Sequence, residues 1–594
     1  MSAPSAQALF EEALAQHQAG RTETARALYE QALQADPEHF DALHLLGVIT
    51  VQAGKAPAGV ALIERAVRLN PTMAAAWSNL GWALAEARRP DDAVAAYDRA
   101  LALDPAYAAG HFNRANTLRD RGDLAGALAG YDRALGLQPG FAQAWVNRGA
   151  VLDRLRRADE AAASFTKAVA LQPEMAEAHA NLAKALNDLK RSDEALASAE
   201  RAIALTPASA AAHNHRALAL YDLRRLEEAL AVADQAIALD PDYPEAHNSR
   251  AITLFDLRRL DEAIASCERA LAIRPDFAPA HLNRATSLLS LGDLARGFDE
   301  YRWRWRVNGF QPAIARLRPA WEGQDLTGKS ILVWGEQGFG DHLQFCRYVP
   351  LVATMAQRTA FATEPALLTL FQRSFPGVDV TTGVPDEAAF DLQVALMDLP
   401  HAFETTLETI PASIPYLAAD PADVARWAAR LAGERGRKVG LVWAGDTHAG
   451  RAAGAAVDRR RSLRLAQFAP LARVEGVIFV SLQKGEPAAQ AAEPPQGLAL
   501  IDQTGDLRDF SDTAALIETL DLVIAVDTAV AHLAGALGKP VWILSRYEGD
   551  WRWLNGREDS PWYPTARLFH QRAGGAWDDV VERVTAALSA WAVV

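Results

Sequence analysis

Prolines stand at positions 37, 71, 105, 139, 173, 207, 241 and 275, each 34 residues after the one before. No other feature restricts the fold of this chain so strongly. A small residue follows each proline by ten positions, at Gly47, Gly81, Ala115, Gly149, Ala183, Ala217, Ala251 and Ala285. Alanines recur in a second register at 66, 100, 134, 168, 202, 236 and 270. Thirty-four residues are enough for two helices and two turns. Small residues let the paired helices approach, and a proline, lacking an N–H, ends the second one. One such unit cannot bury its apolar face alone, so successive units must stack into an α-solenoid.

This pattern resembles the tetratricopeptide repeat family. The resemblance covers residues 4–309, with eight full repeats and an atypical ninth. In a further register Asn79, Asn113, Asn147 and Asn181 are also 34 apart, and Asn283 returns to it after breaks at His215 and Ser249. The resemblance puts these positions on the first helix of each repeat, which lines the concave face. A primary amide both donates and accepts, so a column of amides can grip an extended backbone without reading its side chains. Similar ladders hold acceptor polypeptides in the eukaryotic O-GlcNAc transferase. Asn79, Asn113, Asn147 and Asn181 are therefore candidate acceptor-binding residues, the other reading being amides that serve packing between repeats.

The period ends near residue 309. A connector rich in Arg and Trp, residues 310–328, leads to a region where short apolar strands alternate with helices. Strands are expected at 331–334, 359–363, 378–382, 390–394 and 439–445, then at FVSLQ and on either side of a helix in LVIAVDTAVAHLAGALGKPVWIL. Such alternation gives parallel sheets with helices on their faces. Two runs of it give two lobes with a cleft between them, 329–435 and 436–594.

Four stretches in these lobes carry chemistry. GEQGFGD places Gly335, Gly338 and Gly340 between a strand and a helix, with Asp341 where a P-loop would need lysine. The carboxylate there is either a helix cap or a general base exposed at a cleft. DRRRS puts Arg461 before a helix expected to begin at Ser462, a phosphate site in the making. Arg459 and Arg460 read as solvated. SLQKGE sets Gln483 and Lys484 at the end of a strand, where Lys484 can neutralise a departing phosphate. In the fourth, Asp527, Thr528 and His532 gather at the carboxyl end of a buried strand, where open α/β sheets bind ligands.

Taken in order, GD, WAG, RS, LQKG and VDTAVAHLAGALGKP resemble the heptosyltransferase-like glycosyltransferases of GT-B fold, over residues 329–571. The resemblance implies that Asp341 is the base, that Asp527, Thr528 and His532 bind the nucleotide-sugar donor, and that Arg461 contacts its phosphate. It further implies inversion without a metal, an acceptor side in the first lobe and a donor side in the second. Two departures stand out, DTA in place of the family's usual DTG and the long solenoid in front. Bacterial proteins of this layout resemble flagellin glycosyltransferases, which use nucleotide-activated nonulosonic sugars. The tail residues Trp551, Arg552, Trp553 and Trp562 can stack a base or sugar, or close the lobe interface as core.

Composition narrows the remaining choices. A net charge of −14 argues against nucleic acid or anionic membrane as a partner. Two cysteines far apart, Cys267 and Cys346, exclude a disulfide framework and a zinc site. Neither a leader nor an apolar run of membrane-spanning length is found, which points to the cytoplasm and no stable membrane insertion. The reading is a transferase that moves sugar from a nucleotide-sugar co-substrate to Ser or Thr of a protein, flagellin being the leading acceptor. Transfer to lipid or polysaccharide, and a scaffold with a degenerate transferase domain, are the rivals.

Overall fold

The computed structural model describes residues 4–307, 318–336, 338–383, 389–445, 458–572 and 574–593. The connector residues 310–317 lie outside the described residues. The chain forms two compact units, 1–239 and 240–594.

The first unit is built of antiparallel helix pairs, from Ala6–Gln18 with Thr22–Ala35 through to Ala210–Asp222 with Leu226–Leu239. Glycine falls where the facing side chain is large. A Cβ on Gly81 would lie 2.8 Å from the Tyr97 ring, and one on Gly149 would lie 2.6 Å from Phe165. Between the helices of a pair one residue adopts a left-handed conformation: Gly20, Gly54, Arg88, Gly122, Arg156, Lys190 and Arg224, again 34 apart. Four of these seven are not glycine, so backbone strain is accepted at the turn.

The periodic prolines do more than stop helices. Six residues after the proline, a ring nitrogen bonds back to its carbonyl, from Trp77 to Pro71 at 2.9 Å, His111 to Pro105 at 3.1 Å and Trp145 to Pro139 at 2.9 Å. His179 and His213 repeat the contact at 3.0 and 3.1 Å. Each bond ties the loop between repeats to the next helix.

The second unit opens with four further helices of the same kind, Pro244–Asp256, Leu260–Ile273, Ala278–Leu291 and the short Leu294–Tyr301. Next come a four-stranded and a six-stranded sheet, both parallel. The first contains β1 (Ser330–Trp334), β2 (Arg358–Thr363), β3 (Asp379–Thr382) and β4 (Leu392–Ala395), in the order β3-β2-β1-β4. The second contains β5 (Arg437–Val442), β6 (Val477–Ser481), β7 (Leu500–Ile501), β8 (Leu522–Val526), β9 (Val541–Ser545) and β10 (Ala566–His570), in the order β10-β9-β8-β5-β6-β7. These are the two Rossmann-like lobes of a GT-B fold.

The last repeat is part of this core. Phe298 meets Trp551 edge-on at 5.7 Å and Phe345 at 6.1 Å, and all three are buried with Trp562. The stretch before β1 also covers an edge. Trp321 N donates to Gln393 O at 2.8 Å, so the open side of β4 is partly paired. Among the described residues no helix is long and apolar enough to cross a membrane.

Candidate active site

Parallel strands end with unpaired polar backbone and helix N-termini at one edge, and both sheets turn that edge toward a shared cavity of about 610 Å³. Its lining includes Asp341, Arg461, Lys484, Asp527, Thr528 and His532. The fold thus brings together six positions scattered over almost 200 residues of sequence.

From the first lobe, β1 leads through Gly335 into the helix Phe339–Phe345. A Cβ on Gly335 would fall 1.9 Å from the His342 ring. One on Gly340 would sit 3.0 Å from Cδ2 of His532, so this glycine lets the helix close on the second lobe. Asp341 lies in the first turn and does not cap it, because Gly338 holds the cap position without a side-chain bond. Its carboxylate instead pairs with Arg552 across the cleft. Neighbouring His342 is buried, with Nδ1 2.9 Å from Thr363 Oγ1, and burial pushes it down to about 4.

From the second lobe, β8 delivers Asp527 and Thr528, and the helix Ala529–Ala536 begins there. Thr528 occupies its cap position but makes no capping bond. Its hydroxyl donates to Val526 O at 3.2 Å instead. Ala529 and Val530 line the cavity, leaving the first amides of the helix open to an anion. His532, one turn in, is buried against Trp553 with ring centroids 4.9 Å apart. Its Nδ1 lies 3.0 Å from the Tyr563 hydroxyl and its Nε2 lies 4.0 Å from Asp527. Burial, reinforced by Arg552, pushes His532 down to about 3, so the imidazole is neutral.

The charges around the cavity are linked in a chain. Arg552 bridges Asp341 and Asp550, the latter at 3.0 Å. Burial alone would raise Asp550, but Arg552 and Arg546 pull it down to about 2. Asp527 moves the other way, raised by burial and by the Asp550 charge. Arg461 pairs with Asp458, while its buried Nε has no partner among the described residues. Lys484 directs its ammonium to the carbonyls of Thr504 and Leu507 at 2.9 and 3.0 Å. Gln483 is structural: its amide accepts from Trp443 N and Ala444 N and donates to Ala444 O.

Three expectations need correction. Ser462 does not start a helix. It follows a helical turn over 458–461, and its hydroxyl accepts from Gly445 N at 3.0 Å. A stacking role for the tail tryptophans also fails, because Trp551, Trp553 and Trp562 are at most 6% exposed and form core. Only Arg552 of that group reaches the cavity. Finally, the asparagine register is not uniform. Asn79 bonds to His44 at 2.9 Å and Asn147 to Asn116 at 2.8 Å, both in the preceding repeat. Asn113 and Asn181 are half-buried, and among the described residues their amides make no such bridge to the preceding repeat.

Sequence reasoning missed Tyr563 and Asp550. Aromatic residues near a chain terminus carry no positional signal, and the pairing of Arg552 with Asp341 spans 211 positions.

Stacked helix pairs joined to two parallel sheets with a cleft at their strand ends define a repeat-bearing GT-B architecture. Eight matches to the tetratricopeptide repeat model run between residues 2 and 302, and the chain belongs to that family. It also carries a domain of glycosyltransferase family 9 (heptosyltransferase), whose model matches residues 486–546 and so includes Asp527, Thr528 and His532. Protein FlbA of Caulobacter vibrioides is 33% identical over 334 residues, 50% of this chain and 53% of FlbA. The chain thus spans about half the length of that curated relative. Among solved structures, YrrB, a TPR protein, is 27% identical over 32% of this chain and 96% of its own, with a TM-score of 0.28. MamA is 25% identical over 28% of this chain and 96% of its own, with a TM-score of 0.26.

Proposed function

We propose that the protein is a metal-independent glycosyltransferase that moves a sugar, with inversion, from a nucleotide sugar to a Ser or Thr hydroxyl of a protein. One observation carries the reading: the Asp341 carboxylate and the uncapped N-terminus of Ala529–Ala536 face the same cavity. The donor phosphate binds the open amides beside neutral His532 and the guanidinium of Arg461. Arg552 then exchanges Asp341 for phosphate, and the freed carboxylate accepts the acceptor's proton. The acceptor oxygen bonds to the anomeric carbon as the bond from that carbon to phosphate oxygen breaks. Its electron pair leaves with the nucleotide, stabilised by Arg552, Arg461 and Lys484. A single displacement of this kind inverts the centre. Phe339 and Phe510, 5.1 Å apart on the cavity wall, offer ring faces to the base.

The repeats hold the acceptor polypeptide in this reading, with the free amides of Asn113 and Asn181 as the strongest backbone contacts. Flagellin is the leading acceptor and a nucleotide-activated nonulosonic acid the leading donor, both acting in the cytoplasm. The test is intact-mass spectrometry of flagellin and other candidate proteins incubated with this protein and a panel of nucleotide sugars. A mass increment of one sugar residue, lost in Asp341→Asn, is the expected result. Modification of lipid or polysaccharide but of no protein would overturn the acceptor assignment, and donor turnover without Asp341 would overturn the mechanism.

A further inference from the structure

Arg552 sits in a segment, residues 548–555, whose regular structure is limited to the single turn Trp551–Trp553. Gly549 at φ 73° and Gly556 at φ 75° bracket that turn. Leu554, just after it, is buried at φ 58° and ψ 163°, a combination that glycine normally takes. Such a backbone persists only where its surroundings over-determine it.

Much of that surrounding comes from the last repeats. Asn555 N donates to Ser290 O at 2.7 Å, near the end of the helix Ala278–Leu291. Arg258 donates to Asn555 Oδ1 from both Nε, at 3.0 Å, and Nη2. On the other side of Arg552, the Trp551 ring packs against Phe298 and Tyr301, with centroids 5.7 and 5.8 Å away. The Arg552 guanidinium lies over that same ring, 4.2 Å from its centroid. It gives Nη2 to Asp341 and Nη1 to Asp550. The repeats thus hold the segment on both sides of the arginine that meets the base.

Arg258 departs from its counterparts. It stands at φ 61° in the turn between Pro244–Asp256 and Leu260–Ile273, as Arg88 and Arg156 stand in turns of the first unit. Those two side chains are exposed, whereas Arg258 is half-buried, 5.8 Å from the centre of the Tyr547 ring and bonded to Asn555. A residue that serves a turn elsewhere here reaches the second lobe.

We infer that Arg258 is a positioning residue for transfer: through Asn555 it fixes residues 548–555 so that Arg552 meets Asp341 and then the donor phosphate. Arg258 itself lies outside the lining of the cavity that gathers Asp341 and His532. The inference rests on the role given to Arg552 in the proposed function.

Two measurements on the full-length protein test it. The first, ¹⁵N-arginine NMR, reads Arg552 with no ligand present. Pairing with two carboxylates stops rotation of its guanidinium, so its Nη groups give separate resonances, assigned by their absence in Arg552→Lys. Arg258→Gly removes the guanidinium while relieving the positive-φ backbone, and should merge those resonances. Asn555→Ala should merge them too, and it serves should Arg258→Gly lose its native circular dichroism. The second measurement is transfer: kcat should fall about ten- to a hundredfold in either variant while acceptor KM holds. The double variant should lose no more than either single one, and Arg258→Lys should recover part of the rate. Separate Arg552 resonances in both variants would overturn the inference, as would additive losses in the double variant. Merged resonances in a protein that transfers no sugar would uphold the placement of Arg552 by Arg258 and overturn the transfer reading instead.

Discussion

The contact between Tyr563 and His532 offers the sharpest test of how the second lobe receives a donor. Tyr416 Oη, 3.4 Å from Tyr563 Oη, sends its proton to Leu343 O at 2.8 Å and already accepts from Arg347 at 3.0 Å, so the Tyr563 proton goes to the nearer acceptor, His532 Nδ1 at 3.0 Å. That assignment puts the ring proton of His532 on Nε2, where it is a donor toward the cavity. Tyr563→Phe keeps the ring against Gly535 and deletes only the buried bond. Loss of one such bond, with an acceptor left unpaired, costs about 1–2 kcal/mol. If the loss falls on ligand binding, affinity for a nucleotide drops about five- to thirtyfold. Calorimetry with UDP, ADP, CDP and CMP reads this directly. Because His532 is held neutral down to about 3, the affinity of the native protein should show no imidazole step between pH 6 and 8. Unchanged affinity in the variant with a lowered melting temperature would refute the reasoning and leave Tyr563 a packing residue. An affinity step near pH 6.5 that disappears in His532→Ala would refute the neutral imidazole.

Four further outcomes are expected. Asp341→Asn should slow transfer by about 10²–10⁴ while nucleotide affinity holds or rises, since Arg552 loses a competing carboxylate; calorimetry and single-turnover rates separate the two. His342 and His532 bind protons in the unfolded chain below about 6.5 but in the folded chain only near 4 and 3, so stability must fall as pH drops through 6.5. At pH 5 the loss is about 2 kcal/mol for each, visible as a lower urea midpoint than at pH 7. Arg156→Gly, at φ 61° with an exposed side chain, should stabilise its repeat by about 0.5–1 kcal/mol, because relief of left-handed strain exceeds the added chain entropy; hydrogen exchange at Ala142–Leu171 checks it. Replacing Asn113 and Asn181 together by Ala should weaken acceptor binding more than replacing Asn79 and Asn147, measured by fluorescence anisotropy of a labelled acceptor.

The repeat array was legible because its message is redundant: proline, small residue and alanine recur in fixed register, and each has one physical use. The ring-to-carbonyl bonds were hidden by chemistry. Trp and His share that position because both carry a ring N–H, although one reads as apolar and the other as titratable. In the α/β region, continuous apolar runs marked β1, β5 and β8. By contrast β7 is two residues long, and β10 reads ARLFH, an edge strand whose charged residues conceal it. Motifs placed Asp341 and the Asp527–His532 turn at strand ends, since those positions follow from local order along the chain. Which arginine would meet Asp341 depended on closure of two lobes, and no local pattern encodes that.

The asparagine register shows where periodicity stops being informative. Equal spacing puts each amide at the same place on its helix, but its bonding depends on what the preceding repeat offers. Asn79 finds His44 and Asn283 finds Asn248, each 35 residues back. At the same interval Asn113 faces Ser78 in the sequence and Asn181 faces Val146, while Asn147 faces Phe112 and turns to Asn116 instead. A valine can offer no bond, so Asn181 keeps its amide, and the buried Ser78 makes none with Asn113. Packing between repeats and recognition of a backbone thus divide one column of identical residues. What the preceding repeat places within reach, rather than the asparagine itself, decides which amides are tied up in packing.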